Sequence, residues 1–336
     1  MEKFYINNTL LVNKLKQNGG KYNTDEEFEF TAFRTKAKKG VKSKAIKVSF
    51  WIERDDDVKP LTMMDFLILD AVYGIYKDAP KYRYTFTVRQ LIHAITGTPE
   101  QPSSKGRTEK FDDEIEKLRR TRITINYKDE FEEKNIDGEY EPISMPLLPL
   151  EKISGDKKVG NNKYRITEKP PLYLYAEMNS QVISVPERMF YCDNIVGNTE
   201  RNLLIKYNLL HELEVIRFLK TGVNKYQKKY DKDSIIYFEK ADRRTESDSG
   251  FLTKLDWCLE EEAEERLKYE PHISDKFTTA SGLHTISAIS DVVIKLLDYY
   301  KKIGYLSDYE LLRRTEKGVV NGVRITGKIE YPYGLK

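Results

Sequence analysis

The sequence predicts an α+β chain of two tandem units, each a set of helices running into a β-hairpin. Two stretches carry that expectation. Residues Phe111–Tyr127 read FDDEIEKLRRTRITINY, and Val292–Leu306 is followed by Gly322–Ile329. Each is an amphipathic helix with basic residues in its last turn, leading straight into short alternating strands. Helix, tight exit and hairpin form the back half of a winged helix. The expected architecture is therefore two tandem winged-helix domains, at 58–190 and 191–336, behind a basic N-terminal arm at 1–57.

Composition agrees with two small, well-solvated domains. At 336 residues the chain exceeds one ordinary domain. Its hydrophobic fraction is 39%, below the usual ~45–50%, and 33% of residues are charged, above ~25%. Disorder is not implied, because 23 Tyr and 14 Phe supply apolar mass. Formal net charge is only +3, so the positive field must be local. No acid occurs between Glu29 and Glu53, whereas Arg34, Lys36, Lys38, Lys39, Lys42, Lys44 and Lys47 all do. Two cysteines, Cys192 and Cys258, exclude a disulfide scaffold and CxxC zinc sites. Reduced cysteines, no apolar run of membrane-spanning length and no signal-peptide core point to the cytoplasm.

Along the chain, residues 1–50 read as a polar arm, with one short strand at Ala45–Trp51. Thr62-Met-Met-Asp65 has the capping-box pattern and opens a helix to about Tyr76, apolar around most of its circumference and so central to its domain. A second helix starts at N-cap Thr87 and ends near Thr96-Gly97. The third spans about Thr108–Arg120 and buries Phe111, Ile115 and Leu118. Ile123, Ile125 and Tyr127 then alternate as a strand into the wing. The segment 128–162, rich in Glu, Lys, Asp, Gly and Pro, reads as a wing insertion. Strands are expected at Tyr164–Thr167, Leu172–Ala176 and Gln181–Val185. In the second unit a long helix runs from Asn198-Thr-Glu-Arg201 to about Lys220. Further helices are expected at Ser234–Lys240 and Leu252–Lys268, and a polar turn with a short helix at Thr278–Ser290. The last helix, about Ile289–Ile303, ends at Gly304. Strands follow at Tyr305–Arg313 and Gly322–Tyr331, with Asn321-Gly322 a stronger hairpin turn than Lys317-Gly318.

Catalytic signatures are missing. The four histidines (His93, His211, His272, His284) form no His-x-His pair, so metal-assisted nicking has no ligand set. A P-loop, Gly-x-Ser-x-Gly and His-Glu-x-x-His are likewise absent. Asp55-Asp56-Asp57 reads as a solvated loop before the first helix rather than a metal site. No enzymatic activity, cofactor or metal is expected.

Binding is the chemistry that remains. A winged helix places its third helix in the major groove and its hairpin along the phosphates. In the first unit the expected contacts are Lys105, Arg107, Thr108, Lys110, Arg119 and Arg120 on the helix, and Arg122, Lys163 and Arg165 on the wing, with Lys128 also a candidate. In the second they are Lys276, Thr278, Thr279, Ser281, Thr285 and Ser287 at the helix start. Arg313, Arg314, Arg324 and Lys328 are its wing contacts, with Lys317 beside them. Ser, Thr, Lys and Arg are the residue types that meet phosphates and guanines. A Lys/Arg cluster in so charged a chain is commonly just a solvated face, so the expectation rests on the repeated order of elements.

Leu61-Thr-Met-Met-Asp-Phe-Leu-Ile-Leu-Asp-Ala-Val-Tyr73, Phe86-Thr-Val-Arg-Gln-Leu91 and Leu118-Arg-Arg-Thr-Arg-Ile-Thr-Ile125 together resemble theta-type plasmid replication initiators built of two winged helices, found on mobile elements of Firmicutes. The resemblance spans about residues 58–330. It implies a sequence-specific, non-enzymatic binder of repeated sites in double-stranded origin DNA. It also implies that the C-terminal unit reads the repeats, that the N-terminal unit contacts flanking DNA or a second protomer in a homodimer, and that host helicase-loading proteins are partners. The long basic arm and the insertion at 128–162 depart from the family pattern. A winged-helix transcriptional regulator, or a protein-interaction module of a phage or conjugative element, uses the same modules without that role.

Overall fold

A computed structural model describes residues 3–17, 26–35, 42–78, 84–97, 105–154, 161–192, 195–221, 234–238, 280–313, 318 and 320–331. The fold is α+β, with helices and antiparallel sheets interleaved along the chain.

The first unit is assembled around α2 (Met63–Asp78), buried from Met63 through Gly74. Its start is held by Asp65, whose Oδ2 accepts from the Thr62 N–H at 2.6 Å. Strand β4 (Thr85–Thr87) leads into α3 (Val88–Thr96). Here Thr87 and Gln90 form a complete capping box, and Gly97 closes the helix at φ 70°. A Cβ on Gly97 would fall 2.3 Å from the Tyr191 ring, so both conformation and space require glycine. Helix α4 (Lys105–Arg120) follows, burying Phe111, Ile115 and Leu118 as its periodicity predicts. The hairpin of this unit is β7 (Leu150–Ser154) with β8 (Lys163–Ile166). Its sheet runs β4-β8-β7, with the last strand in sequence at the centre.

Over its described residues the second unit shares the order of helix, strand, long helix and two strands. Helix α8 (Glu200–Thr221) begins where the sequence expects it. Strand β10 (Ile235–Tyr237), helix α9 (Ala280–Lys302), β11 (Glu310–Arg313) and β12 (Val320–Arg324) follow. The sheet is β10-β12-β11, again with the last strand central. The residues expected as a helix at Leu252–Lys268 lie outside those described.

Several expectations are corrected. The N-terminal segment is folded over its described residues, not an arm with one strand. It forms β1 (Lys3–Asn7), α1 (Leu10–Gln17), β2 (Phe28–Arg34) and β3 (Ala45–Glu53). Phe4, Ile6, Leu11, Val12 and Leu15 are all buried, an apolar period that its polar neighbours hide. Strand β5 (Arg122–Asn126) does not enter the wing. It pairs with β3 and with β6 (Ile143–Pro146) in a sheet ordered β2-β3-β5-β6, packed beside α5 (Lys128–Glu133). The stretch 128–162 therefore holds structure over its described residues, namely α5, β6 and β7. Leu172–Ala176 lies in a helix, α6 (Pro171–Met178), started by proline at its first turn. Its unbroken apolar run mimics a buried strand. Strand β9 (Val182–Pro186) pairs with β1, not with the wing sheet, and a short helix α7 (Glu187–Phe190) follows it. Ser234–Lys240 holds β10, not a helix. Asn321-Gly322 lies inside β12, because that strand is central and a Cβ on Gly322 would meet the Ile236 carbonyl at 2.8 Å. Helix α9 also starts earlier than expected, within the predicted polar turn.

One continuous core joins the units. Phe4, Leu67, Ile115, Tyr207, Leu296 and Val323 belong to the same buried cluster. The junction also contains polar groups. Tyr173 and Tyr207 donate to the two oxygens of Asp70, each at 2.6 Å, and Lys16 donates to the Tyr207 hydroxyl at 2.8 Å. Four helices, α1, α2, α6 and α8, thus meet at one carboxylate.

Candidate nucleic-acid interface

Helix α4 should present a basic face if it enters a groove. Its cations are instead largely engaged within the protein. Arg107 donates to the Asn198 carbonyl at 3.1 Å, and Lys110 to Glu200 at 2.8 Å, so the start of α4 is tied to the start of α8. Burial lowers the Arg107 pKa from its ordinary value, as expected for a half-covered guanidinium. Thr108 is 5% exposed and gives its hydroxyl to the Lys105 carbonyl, so it faces inward. Lys117 is buried in an ion pair with Asp65 at 2.7 Å and also reaches Glu114. Arg119 donates to the Leu150 carbonyl at 3.0 Å and to Glu116 at 2.5 Å, fastening α4 to β7. Arg120 is held by both Asp55 and Asp57, at 2.7 and 2.6 Å. Those bonds hold the Asp57 carboxyl below its usual range. The acid run before α2 is thus an arginine clamp.

What α4 shows to solvent is mixed. Lys105, paired with Glu109 at 3.7 Å, shares the exposed surface with Asp113. Of the expected helix contacts in this unit, Thr108, Arg107, Arg119 and Arg120 each make a hydrogen bond within the protein. For the three arginines the acceptor is distant in sequence, at Asn198, Leu150 and Asp55 with Asp57, and is invisible to a local reading, whereas Thr108 is turned inward within its own helix.

On the β7–β8 hairpin, expected as the first wing, Lys163 and Arg165 lie on the outward side of β8, Arg165 pairing with Glu151 at 3.0 Å. Arg122, expected on this wing, sits on β5 in the other sheet, within 4.0 Å of Glu53. Lys128 begins α5, 4.0 Å from Glu132.

The second unit carries a matching pair. Arg324 of β12 lies 3.4 Å from Glu310 of β11, the same central-strand position as Arg165 opposite Glu151. Arg313 closes the hairpin by donating to the Gly318 carbonyl at 2.6 Å. Lys328 is exposed just past β12, its N–H bound to Ser307 Oγ at 2.6 Å. Ser287 is exposed on α9, and Ser281 and Thr285 lie in its first turns. Lys276, Thr278, Thr279, Arg314 and Lys317 fall outside the described residues.

The basic span Lys36–Lys47 reads from the sequence as either a DNA-contacting arm or an inert tail; its described residues belong to the β2–β3 hairpin. Arg34 pairs in register with Ala45, and the Thr35 N–H donates to the Lys44 carbonyl at 2.9 Å. Arg34, Lys42 and Lys44 are exposed at its end. Farther down the hairpin, Lys47 pairs with Glu29 at 2.5 Å. The signal in the sequence was the acid-free span from Glu29 to Glu53, which has a local shape only once the strands pair.

Among the described residues, no cluster of three or more His, Cys, Asp or Glu is placed to hold a metal, and no helix is long and apolar enough to cross a membrane. Cys192 is buried, its Sγ 3.7 Å from the Phe190 carbonyl.

No family model and no curated protein matches the chain. Two solved structures are similar to it at a distance. One is a crystal structure of RctB domains 2-3 (RctB-155-483), at TM-score 0.30 and 10% identity, covering 63% of this chain and 77% of that one. The other is a crystal structure of selenomethionine derivatives of domain 2 and domain 3 of RctB, at TM-score 0.36 and 11% identity, covering 94% of this chain and 98% of that one.

Proposed function

We propose that this chain is a sequence-specific double-stranded DNA-binding protein of the replication-initiator type, built of two winged helices and acting without an enzymatic step. The observation that carries the reading is the repeated sheet order. In both units the first and second strands flank the third, and a long amphipathic helix precedes the hairpin. That order is what a winged helix needs to set a helix beside a projecting hairpin. Origin repeats of a plasmid or mobile element are the proposed target, and a host helicase loader the proposed partner.

The two units divide the work. The α4 cations are engaged and its solvent face carries Asp113, so the first unit serves as a scaffold and protein contact. Base readout falls to the start of α9, around Ser281–Ser287, with Arg324 and Lys328 at the phosphates. An arginine paired only with an exposed glutamate gives up little on meeting a phosphate, because such surface pairs contribute ~0–1 kcal/mol.

Footprinting over DNA flanking the gene, with fluorescence anisotropy across a salt series, tests the reading. For ~6–10 neutralised phosphates, affinity falls ~10³–10⁵-fold between about 50 and 200 mM salt. Supercoiled DNA stays intact with Mg²⁺ or Mn²⁺ present. Absent or salt-indifferent binding sinks the proposal, and a nicked or covalently joined product sinks its non-enzymatic part.

A further inference from the structure

We infer that the β2–β3 hairpin is a third DNA-contacting element, which grips the phosphate backbone without reading sequence. The inference rests on the DNA-binding reading above and adds a site that reading does not contain. Several cations elsewhere on the surface have carboxylate partners: Lys110 with Glu200, Arg120 with Asp55 and Asp57, and Lys301 with Asp308. At the hairpin end, no described carboxylate pairs with Arg34, Lys42 or Lys44.

The base of the hairpin is different. Ser49 bonds Glu27, Lys47 pairs with Glu29, and Arg122 lies beside Glu53. Asp129 of α5 also faces Lys47. Charge thus changes along one rigid ribbon from balanced to positive, which points the end rather than the whole sheet at a polyanion.

Strand pairing and a buried inner face make the ribbon a folded element rather than a tail. Ile46, Val48, Phe50 and Ile52 anchor the inner side of β3 and are all at most 3% exposed. Strand β5 pairs with β3 only over Ser49–Glu53, so Ala45–Val48 and their β2 partners extend past it. Four residues of overhang correspond to ~13 Å. Lys134, which caps α5, sits over the Phe33 ring at 5.6 Å and supports the overhang from the helix side. Lys and Arg without base-edge partners position a protein on the backbone and carry no sequence information.

The test compares the full-length wild type with the triple variant R34Q/K42Q/K44Q on duplex DNA across a salt series. A second triple, K3Q/K77Q/K301Q, removes the same charge elsewhere. Loss of three phosphate contacts lowers the slope of log K against log salt by ~2.7, equally for specific and random duplexes. The control triple leaves the slope unchanged, and matching urea midpoints show that all three proteins are folded. If the wild type binds with a steep salt slope and the hairpin triple keeps that slope, the hairpin inference is overturned while the DNA reading stands. A wild type that binds no DNA overturns both. If the hairpin triple loses only its retention on vesicles of anionic phospholipid, with its DNA slope intact, the surface is a lipid contact and the inference fails.

Discussion

Replacing Tyr207 with Phe removes a single hydroxyl from the junction of α1, α2, α6 and α8. That hydroxyl accepts from Lys16 Nζ at 2.8 Å and donates to Asp70 Oδ2 at 2.6 Å. Both partners are charged and buried. Hydrogen bonds to charged groups contribute ~1.5–3 kcal/mol each, so the substitution should cost ~3–5 kcal/mol at pH 8. The pH dependence separates this loss from ordinary packing defects. Burial raises the Asp70 carboxyl to about 6, against the pull of Lys16 and the bonds from Tyr173 and Tyr207. The unfolded value is ~3.9. With the folded pKa the higher one, the Asp70 contribution is fully present below pH ~4 and is lost as pH rises through about 6. Removing the Tyr207 hydroxyl lifts the folded pKa further, so the variant loses more at pH 8 than at pH 5. At pH 5 the folded carboxyl is largely protonated and the missing bond is a neutral one, which reduces the loss by ~1–2 kcal/mol. Urea unfolding of both proteins at the two pH values, followed by circular dichroism, measures the difference. Equal losses at pH 5 and pH 8, or a loss below ~1 kcal/mol at pH 8, would refute the assignment of Tyr207 as the bridge between Lys16 and Asp70.

Two further outcomes follow from particular contacts. Lys117→Met leaves the fully buried Asp65 without its cation and should lower stability by ~3–5 kcal/mol, read from the urea midpoint. A loss under ~1 kcal/mol would mean that the pair does not hold α2 to α4. Gly322→Val places branched carbons against the Ile236 carbonyl and should cost ~1–3 kcal/mol through displacement of β10 from β12. Gly318→Val, in the hairpin connection, should cost less, and the reverse ranking would restore Asn321-Gly322 as the turn.

Helix starts and stops were legible because their signals are local. Thr87 with Gln90 and Gly97 after α3 are each decided within one turn of chain. The amphipathic helices were legible for the same reason: Phe111, Ile115 and Leu118 repeat at helical spacing and are buried. Strand partners were not. Ile123 and Ile125 alternate as a strand must, but alternation names a face and not a neighbour, so β5 was assigned to the wing when it pairs with β3. The Leu172–Ala176 run fails differently, since a short apolar stretch buried all round has no period to read.

The candidate interface divides along the same line. By itself the sequence determined where basic residues concentrate, the absence of nucleophile and metal motifs, and the helix-then-hairpin order of each unit. These depend on residue identity and on spacing along the chain. Only the tertiary structure decided which cations remain available. Arg120 meets Asp55 and Asp57, Arg107 meets the Asn198 carbonyl, and Lys110 meets Glu200. Arg34, Lys42 and Lys44, spread along the chain, come together at one hairpin end. A charge is neutralised by whatever lies within a few ångströms in space, and folding, not sequence separation, sets that neighbour.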